Sequence, residues 1–217
     1  LGFVATFTIF FGNLAACAQK NIKRMLGLSG VAHAGYLLVA VMASMHFAGD
    51  SDRAIWVLFF YLFIYLLASF AVFGVMGVAR LEDDTEHEFS NYEDLAKKHP
   101  WLGFVLIAGI GSLAGIPPFA GFVAKLLLIS VAYEAKLYFS LAAMVIGVVI
   151  SIFYYFGWMR EITFHPKPSF SDEENEEEKM DPWSSVPRMG VFKFSMLALA
   201  ISSLVLGIWQ GPFGDAF

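Results

Sequence analysis

An apolar run from Trp101 to Tyr133 carries a single charge, Lys125, and is interrupted near its middle by Gly115-Ile116-Pro117-Pro118-Phe119-Ala120-Gly121. The run is 33 residues long, whereas a straight helix crosses the hydrocarbon core of a bilayer with about 20. Pro117 and Pro118 lack N–H groups and their rings obstruct preceding carbonyls, so a helix should end near Gly115 and restart beyond. Glycines on both sides give the backbone room. At membrane depth the freed backbone groups are tolerated only where neighbouring protein or water satisfies them. The interruption therefore predicts a buried, hydrated site.

With Pro117 or Pro118 in the first turn of the second half-helix, Lys125 stands about two turns in. An ammonium there is poorly solvated and the positive end of the half-helix lies nearby, and both effects favour the neutral amine. A lysine in that setting can gain and lose a proton during turnover; an arginine cannot. The competing reading is a side chain that snorkels to an interface or pairs permanently with a carboxylate. Lys125 is 24 positions from Trp101 and 8 from Tyr133, well inside the run, and ionisable residues within a membrane are functional by default.

Composition fixes the class. The chain is 58% hydrophobic and 15% charged, which excludes an ordinary soluble domain and points to an α-helical integral membrane protein. The net charge of −5 comes from two acidic loops. Nothing resembles the basic patch with interleaved aromatics of a nucleic-acid binder. Cys17, the single cysteine, has no partner for an intramolecular disulfide and reads as a small buried hydrophobe. The opening on Leu1, directly in an apolar segment, predicts an internal or C-terminal piece of a longer protein.

Six spans are expected: about 2–18, 25–45, 54–79, the interrupted 101–133, 137–158 and 191–210. The fold class is an all-α integral membrane bundle of six transmembrane helices, one of them discontinuous. With spans alternating, Lys20, Lys23, Arg24, Arg80, Lys97, Lys98, Arg160, Lys167, Lys179, Arg188 and Lys193 fall on one side, and only Arg53 and Lys136 on the other. Basic loops stay inside, so the first set marks the cytoplasmic or matrix face. Treating the interrupted run as two crossings would reverse every later loop. Two long loops lie on this face. In 80–100, Tyr92, Leu95 and Ala96 are spaced for a short surface helix; 166–187 holds the acidic run 171–178 and should be solvated. That run lacks the glycine and alternating ligands of a calcium loop, so no metal site is assigned.

A second signal stands between the first two spans, in Gln19-Lys20-Asn21-Ile22-Lys23-Arg24-Met25-Leu26-Gly27-Leu28-Ser29-Gly30-Val31-Ala32-His33-Ala34-Gly35-Tyr36. Its basic head belongs at the surface, and His33 lies about 12 Å deeper than Met25 at the helical rise. Imidazole can relay protons near neutral pH. It can equally serve as a hydrogen-bonding residue between helices, with Gly30 and Gly35 allowing close packing. Spacing alone leaves both open.

Together these two stretches resemble the proton-pumping antiporter-like subunits of respiratory complex I, NADH:quinone oxidoreductase, and within them the subunit N family. The resemblance covers essentially the whole chain apart from the acidic loop. It implies two inverted five-helix repeats, each with a broken helix and a buried proton carrier. Residues 1–163 would be the second repeat, 164–188 an acidic cytoplasmic loop and 189–217 the final helix, with the N-terminal repeat absent. Lys125 matches the central lysine of the second broken helix, where the sister subunit M usually has glutamate. His33 matches the histidine lining the same half-channel, and Lys23 the lysine of the preceding motif. Gly27-Leu28-Ser29-Gly30 departs from a common Ala-Tyr-Ser-Ser, and Phe119 from a usual threonine.

The resemblance further implies a translocase subunit in a bacterial inner membrane, or an organellar inner membrane, beside other antiporter-like subunits of the complex. NAD, FMN, iron–sulfur clusters and quinone would belong to partner subunits. No cofactor is expected in this chain, which has no dinucleotide fingerprint and no iron–sulfur cysteine spacing. The alternative is a subunit of a multisubunit monovalent cation/proton antiporter, and a third reading is a structural membrane subunit.

Overall fold

The computed structural model describes residues 1–47, 52–78, 88–93, 95–163 and 190–208. Eight α-helices appear among them: α1 (Gly2–Cys17), α2 (Ile22–His46), α3 (Asp52–Met76), α4 (Leu95–Lys98), α5 (Pro100–Ala114), α6 (Ala120–Glu134), α7 (Tyr138–Thr163) and α8 (Gly190–Ile208), with a 3-10 turn at Phe89–Tyr92. By length and composition α2, α3, α7 and α8 can each cross a membrane; α1 and α5 are shorter apolar helices. The helix boundaries fall within a few residues of most of the expected spans. The acidic loop 164–188 lies outside the described residues, as do 79–87 and residue 94.

Local chemistry explains several boundaries. The Asn21 side chain accepts the Arg24 N–H at 3.1 Å and starts α2. Pro100 opens α5, where its missing N–H costs nothing. α6 ends in a Schellman motif, with the N–H of Lys136 on the Tyr133 carbonyl at 2.9 Å and that of Leu137 on Ala132 at 3.0 Å. The motif places exposed Lys136 at φ 57°, a left-handed conformation that suits glycine. Lys136→Gly should therefore stabilise the protein by about 1 kcal/mol, read as a raised unfolding temperature in detergent.

α1 and α2 form a close hairpin. Gly12 lies against the backbone of Leu28 and Ala32, and Gly35 against Ala5 and Ile9. Small residues let helix backbones approach in this way where lipid gives no hydrophobic drive. The two ends of the bundle are identified by their contacts. At one end Asn21 pairs with Glu88 in an antiparallel bridge, the Tyr92 ring stands edge-on to Trp158 at 5.5 Å, and Lys193 Nζ lies 5.6 Å from the Trp101 ring centroid. At the other, Arg53 Nη1 donates to both Glu134 carboxylate oxygens at 2.9 Å. An exposed pair of this kind contributes only about 0.2–1 kcal/mol. Its value here is positional: α3 begins, and α6 ends, at the same end of the bundle.

Two sequence expectations are corrected. Leu95 opens the short helix α4, but Tyr92 belongs to the preceding 3-10 turn, and both are fully buried, capping the end of the bundle among Met25, Leu102, Trp158 and Ile162. Their aromatic and aliphatic bulk is satisfied by the helix ends instead of an interface. Cys17 is exposed at the close of α1, outside the buried face formed by Ile9, Asn13 and Ala16.

Candidate functional site

The interruption is built from both helices it separates. Gly115 stops α5 at φ 78°, with its N–H on the Ser112 carbonyl at 3.1 Å and the Ile116 N–H on Gly111 at 2.9 Å. This Schellman arrangement leaves the carbonyls of Leu113 and Ala114 without intrahelical partners. Phe119, the N-cap of α6, offers no side-chain acceptor. Ser112 Oγ supplies it from α5, accepting the Gly121 N–H at 3.1 Å. Gly121 is pressed against the Ser112 carbonyl, and Gly207 of α8 against the Pro118 carbonyl. The Pro117–Pro118 peptide is cis.

Lys125 is 4% exposed and turns back across this joint. Its Nζ donates to the Leu113 carbonyl at 2.9 Å and the Ala114 carbonyl at 2.7 Å, with Ser151 Oγ of α7 at 3.4 Å. Its stem runs against Gly115, where a Cβ would come within 2.7 Å of Cδ. The amine thus fills the orphaned acceptors of α5, at the negative end of that helix dipole. This corrects one expectation: the nitrogen meets the C-terminus of α5, not the N-terminus of α6. The prolines precede the N-cap, so Lys125 is the sixth residue of α6 and its long stem reaches backwards. Neither a snorkelling lysine nor a carboxylate pair fits this geometry among the described residues.

Tyr36 stands between the two buried candidates. Lys125 Nζ lies 5.8 Å from the Tyr36 ring centroid, and the His33 ring meets the same ring edge-on at 5.8 Å. His33 is buried, with Nδ1 2.6 Å from Tyr61 Oη and its ring 4.7 Å from that of Tyr65. Lys23 is not brought to them. It sits half-buried in the first turn of α2, ten residues and about 15 Å of helix from His33.

A hydroxyl and amide cluster, not found from sequence, completes the interior. Tyr155 of α7 donates to Ser29 Oγ at 2.8 Å, and Tyr154 Oη lies 3.0 Å from the same oxygen. Asn13 of α1 accepts from Tyr154 Oη at 3.3 Å and donates to Tyr36 Oη at 3.3 Å. The available signal was an asparagine and a tyrosine pair inside otherwise apolar helices, where polar side chains face the bundle interior. On the opposite flank of Lys125 an apolar cleft of about 330 Å³ opens between α6 and α7, walled by Phe122, Leu126, Val148 and Phe156.

Comparison with known proteins agrees with this architecture. The family described as NADH:quinone oxidoreductase/Mrp antiporter, TM, matches residues 1–151. The chain belongs to that family. It is 44% identical over 97% of its length to NADH-quinone oxidoreductase subunit N 1 of Opitutus terrae, covering 40% of that protein. It is 37% identical over 98% of its length to subunit N of Ectopseudomonas mendocina, again covering 40%. The chain thus spans about two-fifths of the length of the curated relatives it matches. Respiratory complex I from Thermus thermophilus contains a similar chain, with TM-score 0.78, 27% identity and coverage of 97% of this chain and 43% of that one. The Mrp complex from Dietzia sp. DQ12-45-1b shares the fold at TM-score 0.74 and 23% identity, over 98% of this chain and 44% of that one. The relatives at 37% and 44% identity are both named as subunit N of NADH-quinone oxidoreductase.

Proposed function

We propose that this chain forms a proton-translocating unit of a membrane subunit of NADH:quinone oxidoreductase, with Lys125 as the residue that gains and loses the proton. The observation that carries the reading is the seat of Lys125, buried and hydrogen-bonded across a helix interruption. A lysine there has a polar partner in each of two helices and no counter-ion among the described residues, so its charge can change without breaking an ion pair. The names of the relatives at 37% and 44% identity support the oxidoreductase assignment. The similarity to the Mrp complex supports the fold alone, which leaves the cation/proton antiporter as the weaker alternative.

In this reading α5 and α6 make one crossing. Each has 15 residues, about 22 Å of helix, short of the roughly 30 Å hydrocarbon core. α5 starts at the end marked by Trp101 and Lys193, and α6 finishes at the end marked by Arg53 and Glu134. Together with α1, α2, α3, α7 and α8 they give six crossings. Residues 1–163 then act as one antiporter-like repeat of an inner-membrane protein and α8 as the final helix; the expected cytoplasmic loop 164–188 lies outside the described residues. His33 and Lys23 are assigned to the proton pathway, as a relay and as a surface cation at its mouth. NAD, FMN, iron–sulfur clusters and quinone belong to partner subunits, and the energy for the proton step arrives from them.

The test is proton translocation per NADH oxidised by reconstituted complex whose subunit carries Lys125→Ala. Translocation through this subunit should be lost while the complex still assembles. Wild-type stoichiometry in that variant would remove Lys125 from the pathway and leave a structural subunit.

A further inference from the structure

α7 carries buried polar side chains along one face: Ser151, Tyr154, Tyr155 and Trp158. They are spaced three and four residues apart and cover about 10 Å of helix. Ser151 is beside Lys125. Tyr154 and Tyr155 converge on Ser29, seven residues beyond Ile22 and so about 10 Å from the start of α2. Trp158 is fully buried at the end of the bundle beneath the Tyr92 ring, and its indole N–H has no partner among the described residues. A buried donor of that kind calls for a partner such as an ordered water. The polar groups therefore form a series running from the Lys23 end of the bundle to Lys125.

We propose that protons pass between the Lys23 end and Lys125 along this face of α7, with Ser29, Tyr154 and Tyr155 positioning the water chain that carries them, while His33 serves a separate branch toward α3. This rests on the reading of Lys125 given above. A hydroxyl suits the task because its oxygen accepts one proton as its own O–H bond releases another, so charge moves with no tyrosinate left behind. Asn13 cannot exchange protons in that way. It holds Tyr154 and Tyr36 in place, one hydrogen bond to each. Where successive groups of the series are not in hydrogen-bond contact, the proposal places waters between them. His33 is turned instead to Tyr61 and Tyr65 of α3. The cleft on the other flank of Lys125 is almost wholly apolar and offers water few partners beyond Lys125 and the Gly115–Pro117 backbone.

The experiment compares reconstituted complexes carrying Ser29→Ala with Tyr154→Phe, Ser29→Thr, and Lys125→Ala, measuring protons moved per NADH and the effect of deuterium oxide. The double variant keeps both rings and should lower translocation several-fold and enlarge the deuterium effect, while Ser29→Thr, which retains the hydroxyl, should restore it. A purely structural role would lower the amount of assembled complex without changing the isotope effect, and would overturn the proposal. Normal translocation in the double variant beside loss in Lys125→Ala overturns the α7 route and leaves the Lys125 reading standing. Normal translocation in Lys125→Ala defeats both. Should the double variant fail to assemble, Tyr154→Phe alone carries the same comparison.

Discussion

Gly121→Val is expected to leave little assembled subunit in the membrane. A Cβ at Gly121 overlaps the Ser112 carbonyl oxygen and lies 2.6 Å from its carbon and 3.0 Å from its Cα. These are backbone atoms within α5, and they cannot swing aside as a flexible side chain does. The helices must move apart. That movement also removes the Ser112 Oγ cap from the Gly121 N–H and draws Lys125 away from the Leu113 and Ala114 carbonyls. Overpacking alone costs about 1–3 kcal/mol, and a lost cap about 1 kcal/mol more. Those magnitudes consume much of a typical native stability of about 5–15 kcal/mol. Membrane-inserted yield and the unfolding temperature in detergent read the effect; values equal to wild type would mean that α5 and α6 do not touch there.

Lys125→Arg should stop proton translocation as completely as Lys125→Ala, although it preserves the charge. Guanidinium remains protonated throughout the biological pH range, so it cannot release what it carries. The fork is also broader than the ammonium, in a seat already tight against Gly115. The decisive measurement is proton movement per NADH in the assembled arginine variant. Full translocation there would show that a fixed positive charge suffices and that proton release at this position is unnecessary. Assembly must be checked in parallel, because an arginine that prevents insertion would mimic the expected loss.

The end of α5 at Gly115 was legible in the sequence because its determinants are local. Two prolines and a glycine restrict backbone torsions wherever they occur, and Gly115 takes the left-handed conformation such an ending calls for. The apolar helices α2, α3, α7 and α8, long enough to cross a membrane, were legible for the same kind of reason. The direction of Lys125 was not. Its stem has four rotatable carbons, and which helix terminus it meets depends on how α5 and α6 fold back on each other. Tyr154, Tyr155, Ser29 and Asn13 were missed because their partners come from α1, α2 and α7, more than a hundred residues apart for the longest pairs. Periodicity within one helix cannot register that meeting. Tyr92 and Leu95 were placed on a surface for a related reason: their spacing suits an interfacial helix, and only the neighbouring helix ends reveal the cavity they fill.

The way α5 ends has a consequence for which hydrogen leaves. Two of the hydrogens on the Lys125 nitrogen are committed to the Leu113 and Ala114 carbonyls, and an uncharged amine still possesses two. The joint can therefore stay latched in either charge state. What changes is the third direction, toward Ser151, which holds a hydrogen in one state and a lone pair in the other. In the proposed exchange, proton loss and gain both face Ser151, so the amine can change its charge while the hinge around it stays closed.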